Sequence, residues 1–108
     1  MKKFPTVCLC GSVKFKQEFL KAAQNLEFEG KIVVMPNVFS KVDNIILTKE
    51  QLDLLVNIHD EKLRMCDEVY VIDAPGEDGN PYIGNSTKSE IKTAIKLNKH
   101  IRYLSKEK

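Results

Sequence analysis

"KIVVMP", residues 31–36, is the stretch that decides the fold. Ile32, Val33, Val34 and Met35 follow one another without a polar break, and Pro36 ends the run. A strand with one wet face alternates apolar and polar residues, whereas a strand covered on both faces does not. The run therefore predicts a strand in a sheet with helices on both sides. Working outward, three further runs read as strands: "TVCLC" (6–10), closed by Gly11; "EVYVIDA" (68–74), ending at Asp73; and "KHIRYL" (99–104). Helical spacing fills the gaps between them. Ser12 can cap a helix from Val13 onward, with Phe15, Phe19, Ala23 and Leu26 on one face and Gly30 as its stop. Thr48-Lys49-Glu50-Gln51 is a capping box, so a second helix starts near Lys49 and runs to about Cys66. A third starts at Ser86 or Thr87, with Ile91, Ala94 and Ile95 inward. The order is β-α-β-α-β-α-β, which means parallel strands joined by right-handed crossovers. The expectation is one α/β domain over 1–108 with a four-stranded sheet, at most five, ordered 2-1-3-4.

Composition narrows the class. The chain has 108 residues and a net charge of +2, with Lys and Glu spread along it rather than gathered in a basic patch. A nucleic-acid polymer is therefore not an expected partner. No run approaches the ~18 apolar residues of a membrane span. The start, "MKKFPTVCLCG", has too short an apolar part for a signal peptide. A cytoplasmic protein without a membrane partner is expected. Cys8, Cys10 and Cys66 are odd in number and form no disulfide framework. They read as buried free thiols. A metal site using His59 or His100 is an open alternative, but neither falls at a known ligand spacing, and no metal is expected.

The helix over 49–66 has two apolar sides. Leu52, Leu55, Val56, His59, Leu63 and Cys66 share one face and form the expected core stripe. Leu54, Ile58 and Met65 lie roughly opposite, and a two-fold dimer through this helix is the simplest use for them.

Ligands of parallel sheets bind beyond the carboxyl ends of the strands, where the strand order reverses. That rule gathers Gly11-Ser12, Pro36-Asn37, Asp73 and "YIGNSTKSE" (82–90) at one edge. The turn "CGS" can offer backbone N–H groups at a helix start to a phosphate or sugar. It lacks the glycine pattern of a dinucleotide site or a P-loop. "PGEDGNP" (75–81) is a turn-rich loop, and "NVFSKVDNIIL" (37–47) is a loop long enough to cover a site. Glu90 is the residue with two readings. Thr87-x-x-Glu90 matches a capping box, in which the carboxylate only serves the helix start. The same carboxylate, at the positive end of a helix and facing the ligand edge, could attack a sugar carbon.

"CGSVKF", "HDEKLRMCDEVYVIDA", "GNSTKSEI" and "LNKHIRYL" are similar, in order and spacing, to the nucleoside 2-deoxyribosyltransferase superfamily, whose small members include 2'-deoxynucleoside 5'-phosphate N-hydrolases. The resemblance covers Thr6 to Leu104. It implies a flavodoxin-like or Rossmann-like three-layer fold and a dimer or larger assembly. It implies no cofactor, and a small-molecule nucleoside or nucleotide as substrate, cleaved at its N-glycosidic bond with transfer to a base or to water. Carried over by position, Glu90 is the nucleophile. Gly11 and Ser12 are the turn that holds sugar or phosphate, and Lys14 is the basic residue of the monophosphate hydrolases. Ser86 or Ser89 falls where a phosphate-binding serine stands, beside Gly84 and Asn85. The family's base-assisting Asp is replaced: His59 occupies that position, with Asp60 beside it and Asp73 as a third candidate acid. Gly84 stands where transferases carry an Asp, which points away from efficient transfer.

Overall fold

Four strands form one all-parallel sheet in the order β2-β1-β3-β4. The computed structural model describes residues 3–107; Met1, Lys2 and the last lysine of the basic tail, Lys108, lie outside the described residues. The strands are β1 (Thr6–Gly11), β2 (Ile32–Val34), β3 (Glu68–Ile72) and β4 (His100–Tyr103). The helices are α1 (Lys16–Phe28), α2 (Ser40–Asp43), α3 (Lys49–Met65) and α4 (Asn85–Lys96). A 3₁₀ turn, Val13–Phe15, leads into α1, and another, Leu104–Lys106, follows β4. The expected α/β order and strand sequence are thus those of the molecule.

The period-two geometry of the strands builds two cores. Val7 and Leu9 of β1, with Tyr70 and Ile72 of β3, face Phe19, Ala22 and Leu26 of α1. Cys8 and Cys10, with Val69 and Val71, face Leu63 of α3 and Ala94 of α4. Three layers result, with α1 on one side and α3 and α4 on the other. The register sets Gly11 opposite Ile72. A Cβ at Gly11 would stand 2.8 Å from the Ile72 carbonyl oxygen, so close approach of two backbones is what glycine provides there.

Several expectations change. The run "KIVVMP" forms a strand, but an edge strand that pairs with β1 alone. Ile32 is half exposed, and Val33 and Val34 are only partly covered, because the second strand in this order has no outer neighbour. The segment after it is not all loop. It contains α2, and Phe39 is buried against Phe19 with ring centroids 5.5 Å apart. Lys16 pairs with Asp43 at 2.9 Å, which ties α2 to the start of α1.

The capping box at Thr48 and Gln51 is present in both directions. The core stripe of α3 is shorter than expected. Leu63 and Cys66 are buried and Leu55 and His59 partly so, whereas Leu52 and Val56 are more than half exposed. A helix of 17 residues is about 25 Å long, and a five-residue strand about 17 Å. Since α3 ends where β3 begins, its first turns overhang the carboxyl edge of the sheet. Leu54, Ile58 and Met65 are exposed. On α4 the inward stripe is Thr87, Ile91 and Ala94, while Ile95 is exposed.

Candidate active site at the carboxyl edge of the sheet

The sequence left Glu90 between a cap and a reactive group. In the structure α4 begins at Asn85, one to two residues earlier than expected, with Gly84 as its N-cap. Gly84 offers no side chain, and no side-chain cap bond forms. Thr87 is buried inside the first turn, where its hydroxyl cannot serve as N-cap. Glu90 is therefore the sixth helical residue, one turn past the positions a capping carboxylate uses. The expected capping box is absent.

Glu90 instead turns toward α3. Its Oε2 lies 3.0 Å from Nε2 of His59, with the two side chains 25% and 13% exposed. Partial exposure leaves the carboxylate reachable while the imidazole is nearly enclosed. Cys10, on the inner face of β1, brings its Sγ to 3.6 Å from the same Nε2. Nδ1 of His59 is buried with no hydrogen-bond partner among the described residues, so Nε2 alone orients the ring. One nitrogen of α3 thus meets a thiol of β1 and a carboxylate of α4. The Cys8, Cys10 and His59 ligand atoms all lie within 4.8 Å of one another. The neighbouring Cys10 thiol, with burial, pushes Cys8 well above the ordinary thiol range, and Cys8 and burial do the same to Cys66. These thiols stay protonated at neutral pH.

The other expected acids are engaged elsewhere. Asp60 accepts a hydrogen bond from Nε of Arg64 at 2.8 Å on an exposed helix face. Asp73 is buried and accepts from the Ser105 N–H at 2.8 Å and hydroxyl at 2.6 Å, which fastens the turn after β4 to the end of β3. Asp73 is thus bound into the fold, whereas the contact of Asp60 is an exposed i,i+4 ion pair.

Ser12 caps the 3₁₀ turn, its hydroxyl accepting from the Lys14 N–H at 3.4 Å. Lys14 stretches its ammonium over the ring of Tyr82, 3.7 Å from the centroid, and Phe15 meets that ring edge-on at 6.0 Å. The loop after β3 explains how Tyr82 arrives there. Gly76 N–H bonds to Asn80, Gly79 N–H to Gly76, and Tyr82 N–H to Ala74, so 74–82 folds back on itself. Tyr82 also packs on Gly84, where a Cβ would stand 3.3 Å from its hydroxyl. Asn85 and Ser86 are exposed at the start of α4, where no side-chain cap covers the first-turn N–H groups. Lys14, Tyr82 and the open end of α4 therefore form one polar corner. Asn37 lies apart, in a shallow cleft of about 260 Å³ between α1, β2 and Lys62. Tyr82 and Cys10 carried no role in the sequence. An aromatic beside a glycine in a turn-rich loop is a weak signal for the first. Nothing along the chain signals a contact between Cys10 and a histidine 49 residues away.

Neither a protein-family model nor a curated protein sequence matches the chain. Among solved structures it is similar to the 2-desoxiribosyltransferase from Leishmania mexicana, with a TM-score of 0.64 and 17% identity. The match covers 92% of this chain and 63% of the other, so the present chain spans less than two thirds of that protein's length. The three-layer parallel fold deduced from the strands is therefore the fold of a 2-desoxiribosyltransferase.

Proposed function

We propose that this protein cleaves the N-glycosidic bond of a deoxynucleoside or its monophosphate, with Glu90 as nucleophile. The observation that carries the reading is the Glu90 carboxylate: part-exposed, unused as a cap, and held by His59 Nε2 at 3.0 Å at the sheet's ligand edge. An ionised carboxylate so held can attack C1' of deoxyribose. The new ester C–O bond forms as the C1'–N bond breaks, and the departing base leaves with the bonding pair and takes a proton from solvent. A water or a second base then attacks C1' and frees Glu90.

His59 is a positioning residue in this scheme. Carboxyl groups that work across one glycosidic bond stand roughly 5–5.5 Å apart in retaining enzymes. A contact of 3.0 Å is too short for a group on the far side of the bond, and suits one that orients the nucleophile. Lys14 and the open start of α4 are the groups we assign to a 5'-phosphate, with Tyr82 as a stacking wall. A homodimer through the exposed face of α3, using Leu54, Ile58 and Met65, belongs to the same proposal, since their exposure leaves them uncovered in the single chain. Light scattering giving the monomer mass at micromolar concentration would remove that part.

The test is incubation with the four deoxynucleosides and their 5'-monophosphates, with and without an acceptor base, followed by chromatography for free base. Release from at least one is expected; release from none overturns the reading. A second reading, nucleotide binding without turnover, draws on the engagement of Asp60 and Asp73 elsewhere. It predicts a nucleotide that raises the melting temperature and is recovered intact.

A further inference from the structure

Cys10 Sγ and Glu90 Oε2 converge on the same nitrogen of His59, at 3.6 and 3.0 Å. A thiol–imidazole–carboxylate relay would use the two ring nitrogens separately, one for the thiol and one for the acid. Here Nδ1 takes no part. Nor can Nε2 serve both neighbours, because it either donates to the carboxylate or accepts from the thiol. A cation set among the three would satisfy all of them at once. Cys8 completes the set, since it leaves β1 on the same face two residues before Cys10, and its ligand atom lies within 4.8 Å of both Cys10 and His59.

We propose that Cys8, Cys10 and His59 form the core of a binding site for a thiophilic divalent cation of the zinc class, with Glu90, in contact with His59, as the nearest fourth donor. Tetrahedral zinc with bonds of about 2.3 Å to sulfur and 2.0–2.1 Å to nitrogen or oxygen places S and N about 3.6 Å apart, and N and O about 3.4 Å apart. The observed S–N separation of 3.6 Å matches, and the 3.0 Å N–O contact is a few tenths short; Glu90, which lies outside the cluster of Cys8, Cys10 and His59, has to turn toward the thiols to complete the tetrahedron. Two thiolates, an imidazole and a carboxylate make a donor set that favours zinc over magnesium or calcium. The thiols release their protons to solvent as the cation enters. The four ligands come from β1, α3 and α4, so the cation would clasp both helices of one layer to the central strand. The site shares Glu90 with the proposed nucleophile but does not depend on that role.

The experiment uses the whole chain, reduced and stripped with a chelator, then titrated with cobalt(II) as a spectroscopic stand-in for zinc. One equivalent should produce a thiolate-to-cobalt charge-transfer band, and zinc should bleach it. Zinc should also raise the melting temperature. Cys10→Ser and His59→Gln should each weaken binding at least tenfold, and His100→Gln, at the only other histidine, should leave it unchanged. X-ray absorption of the zinc-loaded wild-type protein keeps the test independent of whether the variants fold. A shell of sulfur near 2.3 Å with nitrogen or oxygen near 2.0–2.1 Å is expected. The absence of the charge-transfer band, a shell of nitrogen and oxygen alone, or loss of binding in His100→Gln would each overturn the proposal. None of these readouts involves nucleoside turnover, so the result stands whether or not base release is found.

Discussion

Replacing Glu90 with Gln separates the cap from the chemistry. The amide keeps the size of the side chain and an oxygen that can still accept from His59 Nε2–H; only the charge is lost. A cap residue replaced by a non-capping one costs about 0.5–2 kcal/mol. Glu90 is one turn beyond the cap positions, so that cost does not apply. What changes is one hydrogen bond, from about 1.5–3 kcal/mol with a charged acceptor to about 0.5–1.5 kcal/mol with a neutral one. Against this, a side chain that is three-quarters covered no longer has to hold a charge out of water. The two nearly offset, and the net effect should stay within about 1 kcal/mol, or about 4–8 °C in melting temperature for a domain near this size. Activity should respond on another scale. An amide is not a nucleophile toward C1', so base release should fall on the order of 10³-fold or more, equivalent to about 4 kcal/mol of barrier. Thermal unfolding and chromatographic base release on the same preparation decide the matter. Base release near the wild-type rate in a well-folded Glu90→Gln would refute the nucleophile. A melting temperature lower by 15 °C or more would show that the carboxylate is mainly structural.

The remaining expectations concern the frame around the site. Gly11→Ala should lose about 1–3 kcal/mol, because the new methyl group meets the Ile72 carbonyl oxygen at 2.8 Å and β1 and β3 must part; urea denaturation measures this, and an unchanged midpoint would contradict it. Leu63→Ala removes a fully buried side chain between α3 and the sheet and should cost about 2–5 kcal/mol, read from the same transition. Arg102 holds the Glu29 carboxyl below its ordinary range, chiefly by their hydrogen bond. A lowered folded-state value means that this contribution is present above the unfolded value, near pH 4.5, and is lost as pH falls below it. Arg102→Met should therefore flatten the stability-versus-pH curve on that acid side, in a pH series of urea midpoints.

Hydrophobic runs of strand length, alternating with helical spacing, were enough to determine four parallel strands in a layered α/β fold, and the expected order 2-1-3-4 is the observed one. Those features depend on local periodicity and on the chirality of crossovers, both of which are written along the chain. The capping box at Thr48 was legible for the same reason, since all its atoms lie within four residues. The identical pattern at Thr87 was not a cap, because burial of Thr87 against the sheet moved the helix start back to Gly84. Local pattern offered two starts, and tertiary packing chose one. Exposure of "KIVVMP" followed likewise from its place at the edge, a property of the whole sheet. Glu90 could be singled out from sequence, but its partner bond could not. His59, Cys10 and Glu90 are spread over 81 positions, on α3, β1 and α4, and only the packing of those elements brings them together. Sequence determined which elements exist and where their ends gather; the tertiary structure alone decided which side chains meet there, because contacts between distant residues leave no trace in local spacing.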